Sequence, residues 1–213
     1  MRTRSPELLL AAGVALACAG CPSLAQHQTP ETVAPGKWQL AVSAGGALYR
    51  DVPQEATTPA AATEIALRRG LARDLDAQVA AYLWGVDAGV KYRFLDGAWS
   101  AAIAPRLGFS RFVGTTSTVD SLYVWGHLPM IFGRRLGPSL TLIFGPRMLY
   151  GMYAPSTGGW AQGLGFGGFT GFEVRLSPRF RLLPELSIVR SSGGTVPVKG
   201  WYGYFGPGLL VDL

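Results

Sequence analysis

The chain has 213 residues, and only 15% of them are charged, against about a quarter in ordinary soluble domains. It contains 29 glycines, and its aromatic residues reach 11%. A formal net charge of +6 would suit a nucleic-acid binder, but the arginines are spread along the whole chain and no nucleic-acid motif is present. The absence of an apolar run of about 20 residues beyond the N-terminus is evidence against helical membrane spans.

Residues 1–25 have the pattern of a secretory signal peptide. Arg2 and Arg4 form a positively charged start, and residues 8–17 form an apolar stretch. A small-x-small site at residues 23–25 predicts cleavage before Gln26. The pattern therefore predicts that the protein is exported from the cytoplasm.

Cys18 and Cys21, the two cysteines of the chain, lie in this signal region. The stretches 15–18 and 18–21 each resemble a bacterial lipobox, although neither has leucine three residues before its cysteine. Lipid anchoring at one of these cysteines and plain cleavage after Ala25 both stay open. No second cysteine pair accompanies this one, so we predict no metal site and no cofactor.

Residues 26–36 are polar, contain two prolines and are predicted to be a flexible lead-in. Residues 37–213 form one domain, in which apolar and polar side chains alternate with a period of two. Ten strands are predicted, and eight is the alternative count if one pair is misassigned. The predicted strands are residues 38–49, 63–69, 75–83, 86–94, 99–111, 122–134, 139–150, 163–176, 180–190 and 201–213.

Short turns alternate with mostly longer polar loops between these strands. The short joints are residues 70–74, 95–97, 134–138 and 176–179; the longer ones are centred near 51–61, 113–120, 151–160 and 191–199, and one joint, at 84–85, is unusually tight. Behind an export signal, this alternation indicates an all-β fold, a closed antiparallel up-and-down transmembrane β-barrel in the outer membrane of a Gram-negative bacterium. An even number of strands places both ends of the barrel chain on the short-turn side.

Lipid would face the apolar side of each strand and the polar side would line the lumen, because every backbone group in lipid must be hydrogen-bonded and the sheet must close. The alternative is an exported soluble β-sandwich with a polar outer face. Prolines lie at strand positions 105, 129, 146, 184 and 207. Since proline cannot donate to a strand ladder, we expect bulges near them.

Ten charged residues occupy the predicted lumen face. They are Glu64, Arg68, Asp87, Lys91, Arg93, Arg106, Arg147, Glu173, Arg175 and Glu185. Charges buried in a narrow barrel must pair, so we expect a salt-bridge network that fills the lumen and fixes the strand register. A selective pore or a site for a small anionic ligand is the alternative, because basic residues outnumber acidic ones.

Residues 68–110 read as strand, Arg/Asp turn, strand, glycine joint, strand, Asp-Gly turn and strand. This succession resembles the small outer-membrane β-barrel proteins of Gram-negative bacteria, in the broad OmpA-like and OmpW-like sense. The resemblance implies a monomer in contact with outer-membrane lipid and lipopolysaccharide, inserted by the barrel-assembly machinery. The chain departs from such proteins at its end, Val211-Asp212-Leu213, which lacks the terminal aromatic residue of their assembly signal.

The predicted barrel offers little for catalysis. Its one histidine, His127, is placed in mid-strand, whereas an omptin-like protease needs an Asp-His pair at the rim and a lipid A deacylase needs a His-x-Ser motif. The glycine-rich residues 163–168 resemble a phosphate loop only superficially, since no helix follows them. We therefore predict a non-enzymatic protein with a structural, binding or small-solute role. The alternatives are a porin-like narrow channel for small anionic or hydrophobic solutes, and a surface-loop adhesin or lipid-modifying barrel enzyme.

Overall fold

The computed structural model describes residues 26–51, 57–82, 85–113, 120–155, 161–194 and 200–213. The predicted signal peptide with Cys18 and Cys21, the tips of four of the predicted loops, and Trp84 of the tight joint at 84–85 lie outside the described residues. No helix in the described part of the chain is long and apolar enough to cross a membrane.

The described residues form one antiparallel sheet of eleven strand segments. The segments are β1 (Trp38–Asp51), β2 (Thr57–Ala72), β3 (Leu75–Tyr82), β4 (Gly85–Leu95), β5 (Trp99–Ile103), β6 (Arg106–Val113), β7 (Asp120–Arg135), β8 (Leu140–Pro155), β9 (Ala161–Arg175), β10 (Phe180–Gly194) and β11 (Gly200–Asp212). Both β5 and β6 lie between β4 and β7, so they are two halves of one span. The barrel therefore has ten spans.

Pairing of the first and last strands closes the sheet. β1 pairs with β2 on one side and with β11 on the other, and the remaining neighbours follow in chain order around the circle. The prediction of a closed, ten-stranded antiparallel barrel is thus confirmed, and the eight-strand alternative is not needed.

Several strands run further into the predicted long loops than the alternation indicated. β2 begins at Thr57 rather than near residue 63, β8 continues to Pro155, and β10 continues to Gly194. The segments that these strands enter are rich in Thr, Ser, Gly and Pro. Such residues read as loop by composition, whereas pairing with a neighbouring strand extends the ladder regardless of polarity.

Side chains alternate between the lumen and the outside as the sequence predicts. On β7, Trp125, His127 and Ile131 are buried, whereas Leu128 and Met130 are exposed. The outward positions of the barrel carry a band of exposed apolar side chains. It includes Val42, Leu48, Ile65, Leu67, Val79, Val90, Leu107, Phe109, Phe166, Phe172, Leu186, Ile188 and Phe205.

The predicted bulges at the prolines do not form. The chain instead breaks its strand at Ala104–Pro105, between β5 and β6. Near Pro184 the pairing of β10 with β9 passes from Leu182↔Val174 to Glu185↔Gly171, which omits two rungs and keeps the register. Where a rung is missing, the ladder needs no backbone N–H from the proline. The alternation of inward and outward side chains therefore continues across the proline.

Candidate functional site in the barrel lumen

Residues 26–33, called the plug segment below, lie inside the barrel. The chain before β1 is fastened at the short-turn end, where Gly36 N donates to Gly70 O at 2.9 Å and Gly70 N donates to Lys37 O at 3.1 Å. From there it runs backwards into the lumen, and residues 26–30 are buried. The sequence predicts a flexible lead-in over residues 26–36, and in the structure residues 26–30 of this stretch are buried in the lumen.

The plug segment is bound to the lumen wall by side-chain hydrogen bonds. The His27 ring lies between two wall groups, with Nδ1 3.1 Å from Leu183 O and Nε2 2.9 Å from the Tyr204 hydroxyl. Gln28 donates to Gln78 at 2.5 Å, and Arg68 donates to the carbonyl of His27 at 2.9 Å. These contacts connect the segment to wall residues on β2, β3, β10 and β11.

His27 also occupies space that only a glycine leaves free. Gly208 on β11 faces the ring, and a Cβ built on Gly208 would lie 2.6 Å from His27 Cγ. Real Cβ atoms do not approach so closely. His27 itself has a backbone φ of 32°, in the left-handed region that costs energy for a residue with a side chain. The surrounding contacts therefore hold the plug in a conformation that the free segment would not favour.

Glu185 holds the deepest part of the plug segment. Its carboxylate accepts from Gln26 N at 2.8 and 3.1 Å, one distance to each oxygen, and from His27 N at 2.6 Å. Ser187 donates to the same carboxylate at 2.5 Å, and Arg147 lies 3.5 Å away. Four groups from the plug and the wall thus converge on one buried carboxylate.

Lys91 and Asp76 form a second attachment nearer the short-turn end. Their charged groups are 3.1 Å apart, and both side chains are buried. Each also contacts the plug backbone, because Lys91 donates to Glu31 O at 2.6 Å and Asp76 accepts from Val33 N at 3.1 Å. The ion pair therefore stabilises the plug as well as the wall.

Arg106 is the centre of a third cluster, on the side of β2, β4 and β7. Its guanidinium lies 3.7 Å from Glu64 and 3.7 Å from Asp87. It also lies 3.1 Å from His127 Nδ1 and stacks over Trp125 at 5.9 Å from the ring. All of these side chains are buried, so the cluster fills the lumen with paired charge.

The mouth of the barrel at the short-turn end carries a ring of arginines around one glutamate of the plug. Glu31 lies 3.6 Å from Arg135, 3.7 Å from Arg175 and 3.6 Å from Arg181. Arg181 also pairs with Asp212 at 2.7 Å. Glu31 thus joins the plug to β7, β9 and β10.

Eight of the ten predicted lumen charges are buried in the structure. These are Glu64, Arg68, Asp87, Lys91, Arg106, Arg147, Glu173 and Glu185. Arg93 and Arg175 lie at the short-turn end instead, where Arg93 pairs with Asp74 at 2.7 Å and Arg175 is half exposed. Both residues lie at strand ends. The alternation of side chains predicts which residues point inward, but it does not distinguish the interior of the lumen from the mouth of the barrel.

The sequence interpretation missed several residues that complete the network. Asp76 and Gln78 alternate inward on β3 and could have been included on that ground. His27 and Gln28 could not, because the plug segment has no strand periodicity. In the described residues, no group of three or more His, Cys, Asp and Glu side chains is placed to hold a metal ion.

The outer surface of the barrel carries aromatic side chains near both of its ends. Exposed aromatic residues lie at the short-turn end, at Trp38, Phe94, Trp99 and Phe180, and towards the opposite end, at Tyr150 and Trp201. Two aromatic girdles around an apolar band, with polar groups inside a closed sheet, are the features of a barrel that spans a membrane. The protein is an outer-membrane β-barrel.

Among solved structures, the chain is similar to outer-membrane barrel proteins. The outer-membrane protease OmpT from Escherichia coli superposes with a TM-score of 0.54 and 7% identity, over 87% of this chain and all of that one. Neisserial surface protein A gives a TM-score of 0.49 and 14% identity, with 83% and 97% of the two chains covered. Ail of Yersinia pestis, solved with the heparin analogue sucrose octasulfate, gives 0.43 and 10%, with 84% and 99% covered.

At 7% identity, the match to OmpT establishes a common fold alone. At that level the resemblance to small Gram-negative outer-membrane barrels is confirmed. No protein-family model matches the sequence, and no curated protein matches it.

Proposed function

We propose that this protein is a closed outer-membrane barrel, sealed by its own N-terminal segment, with a structural or binding role. The observation that carries the proposal is the burial of residues 26–30 inside the lumen. A segment held by Glu185, Arg68 and Lys91 obstructs the path that a solute would follow.

The charge clusters support the same conclusion. The lumen arginines lie beside buried carboxylates rather than lining an open path, as Arg106 does between Glu64 and Asp87. An anion that entered would have to displace an internal carboxylate and the plug at once. A plugged lumen is a known design of membrane barrels.

The enzyme alternative has no specific observation in its favour. OmpT is a protease, but its likeness to this chain is one of fold. In this chain, His127 is buried in the lumen with Nδ1 beside the Arg106 guanidinium. We therefore propose a packing role for His127 in the charge network.

Conductance in planar lipid bilayers tests the proposal. The wild-type barrel should show little or no ion conductance. Two changes should raise it severalfold: deletion of residues 26–33, and Gly208→Val, whose side chain would occupy the position of the His27 ring.

Gly46→Val is the matched control. Gly46 lies on the neighbouring strand, faces outward, and has no atom within 4 Å of an added Cβ. This variant should stay as closed as the wild type. A wild-type conductance equal to that of the deletion variant would contradict the proposed seal and favour the narrow channel.

A further inference from the structure

The backbone nitrogen of Gln26 contacts both carboxylate oxygens of Glu185. It lies 2.8 Å from one oxygen of Glu185 and 3.1 Å from the other. A peptide nitrogen shares its one hydrogen between these two oxygens, whereas a chain-terminal ammonium has three hydrogens and a positive charge. The position therefore also suits a chain-terminal ammonium, which would form a charge-assisted pair with the carboxylate.

The contact between Gln26 N and the Glu185 carboxylate is buried. Gln26 has no exposed surface, and Glu185 is 5% exposed. A buried carboxylate requires compensating positive charge. Arg147 provides some at 3.5 Å, but two nitrogens of the plug, at Gln26 and His27, approach closer.

Gln26 is also the residue that follows the small-x-small site at 23–25. Hydrolysis of the Ala25–Gln26 peptide bond consumes one water, leaves a carboxylate on Ala25 and leaves an amine on Gln26. The amine takes up a proton at neutral pH. The new chain end would then lie within the barrel, against Glu185.

We propose that Gln26 is the first residue of the mature protein and that its α-ammonium group is bound by the Glu185 carboxylate inside the lumen. The pair anchors the free end of the plug segment. It also protects Gln26 from cyclisation, in which the unprotonated amine attacks the side-chain amide and releases ammonia. The proposal rests on the plug described under the proposed function, and it decides between the two N-terminal alternatives that the sequence leaves open, cleavage after Ala25 and lipidation at Cys18 or Cys21.

The first test is the intact mass of the full-length gene product, expressed with its own signal and purified from outer membranes. We expect the mass of residues 26–213 with an uncyclised N-terminus. A lipid-modified mass beginning at Cys18 or Cys21, a different first residue, or loss of ammonia from the wild-type end would each overturn the proposal.

The second test measures how fast the N-terminal amine is acylated by an amine-reactive acetyl ester in the folded, detergent-solubilised barrel, with peptide mapping to separate it from lysines. Lys37 is exposed and serves as the internal reference. Acylation of Gln26 should be at least about tenfold slower than that of Lys37, because it requires local opening of the plug. Equal rates in the wild type would overturn the proposal.

Two matched variants locate the protecting group. Glu185→Gln keeps the shape and removes the charge, and it should abolish most of the protection and allow cyclisation. Glu173→Gln changes another buried lumen carboxylate, whose ion-pair partner is Arg181, and it should leave the protection intact. Equal protection in both variants would exclude Glu185 as the binding group.

The outcomes separate this proposal from the proposed function. A closed wild-type barrel whose mass begins at Cys18 or Cys21 would retain the seal and reject the ammonium contact. An open wild-type barrel would reject the seal itself.

Discussion

Replacing Arg106 by methionine removes the cation at the centre of a buried charge cluster. Its side chain is 1% exposed, and its two carboxylate partners, Glu64 and Asp87, are 3% and 0% exposed. The variant leaves two buried carboxylates without this guanidinium. Breaking a buried pair by removing one partner typically costs about 3–5 kcal/mol, and we expect a loss of unfolding free energy in that range.

Arg135→Met is the matched control for this change. Arg135 also forms an arginine–carboxylate pair, with Glu31 at 3.6 Å, but its side chain is 59% exposed. Exposed pairs contribute about 0–1 kcal/mol, so this variant should unfold almost as the wild type does.

The assay is denaturant-induced unfolding in detergent micelles, followed by tryptophan fluorescence. Trp125 lies under Arg106 and gives a local signal. The combination Arg106→Met, Glu64→Gln and Asp87→Asn should recover much of the lost stability, because it removes the uncompensated charge. A loss for Arg106→Met no larger than that for Arg135→Met would refute the reasoning.

Two further predictions concern the membrane-embedded barrel. Phe205→Arg should lower the free energy of unfolding by about 2–4 kcal/mol, because Phe205 is 64% exposed near the middle of β11 and a charge at the bilayer midplane costs that much. Leu176→Arg, at a turn, should cost at most about 1 kcal/mol. Equal costs for the two variants would argue against this placement of β11 in lipid. The protein purified from outer membranes should migrate differently on gels before and after boiling, because a closed ladder resists detergent, whereas a soluble periplasmic protein without a shift would contradict the barrel.

The sequence by itself determined the barrel. Successive side chains of a strand point to opposite faces of the sheet. The sequence of each strand therefore decides by itself which side chains face lipid and which face the lumen. Val86 to Phe94 illustrates this, because its polar members Asp87 and Lys91 are both buried in the lumen. Strand ends were less predictable: Thr57 and Pro155 belong to strands because a neighbour pairs with them, although their own composition is typical of loops.

Only the tertiary structure decided what fills the lumen. Residues 26–33 have a polar, proline-containing sequence with no periodicity, and such a segment reads as disordered by itself. The closed barrel provides a set of buried polar groups that each require a partner, including Glu185, Tyr204 and Arg68. The plug segment satisfies them, because an unpaired polar or charged group in a low-dielectric interior is costly. That requirement exists only once ten distant strands have closed around one space, and local sequence does not encode it.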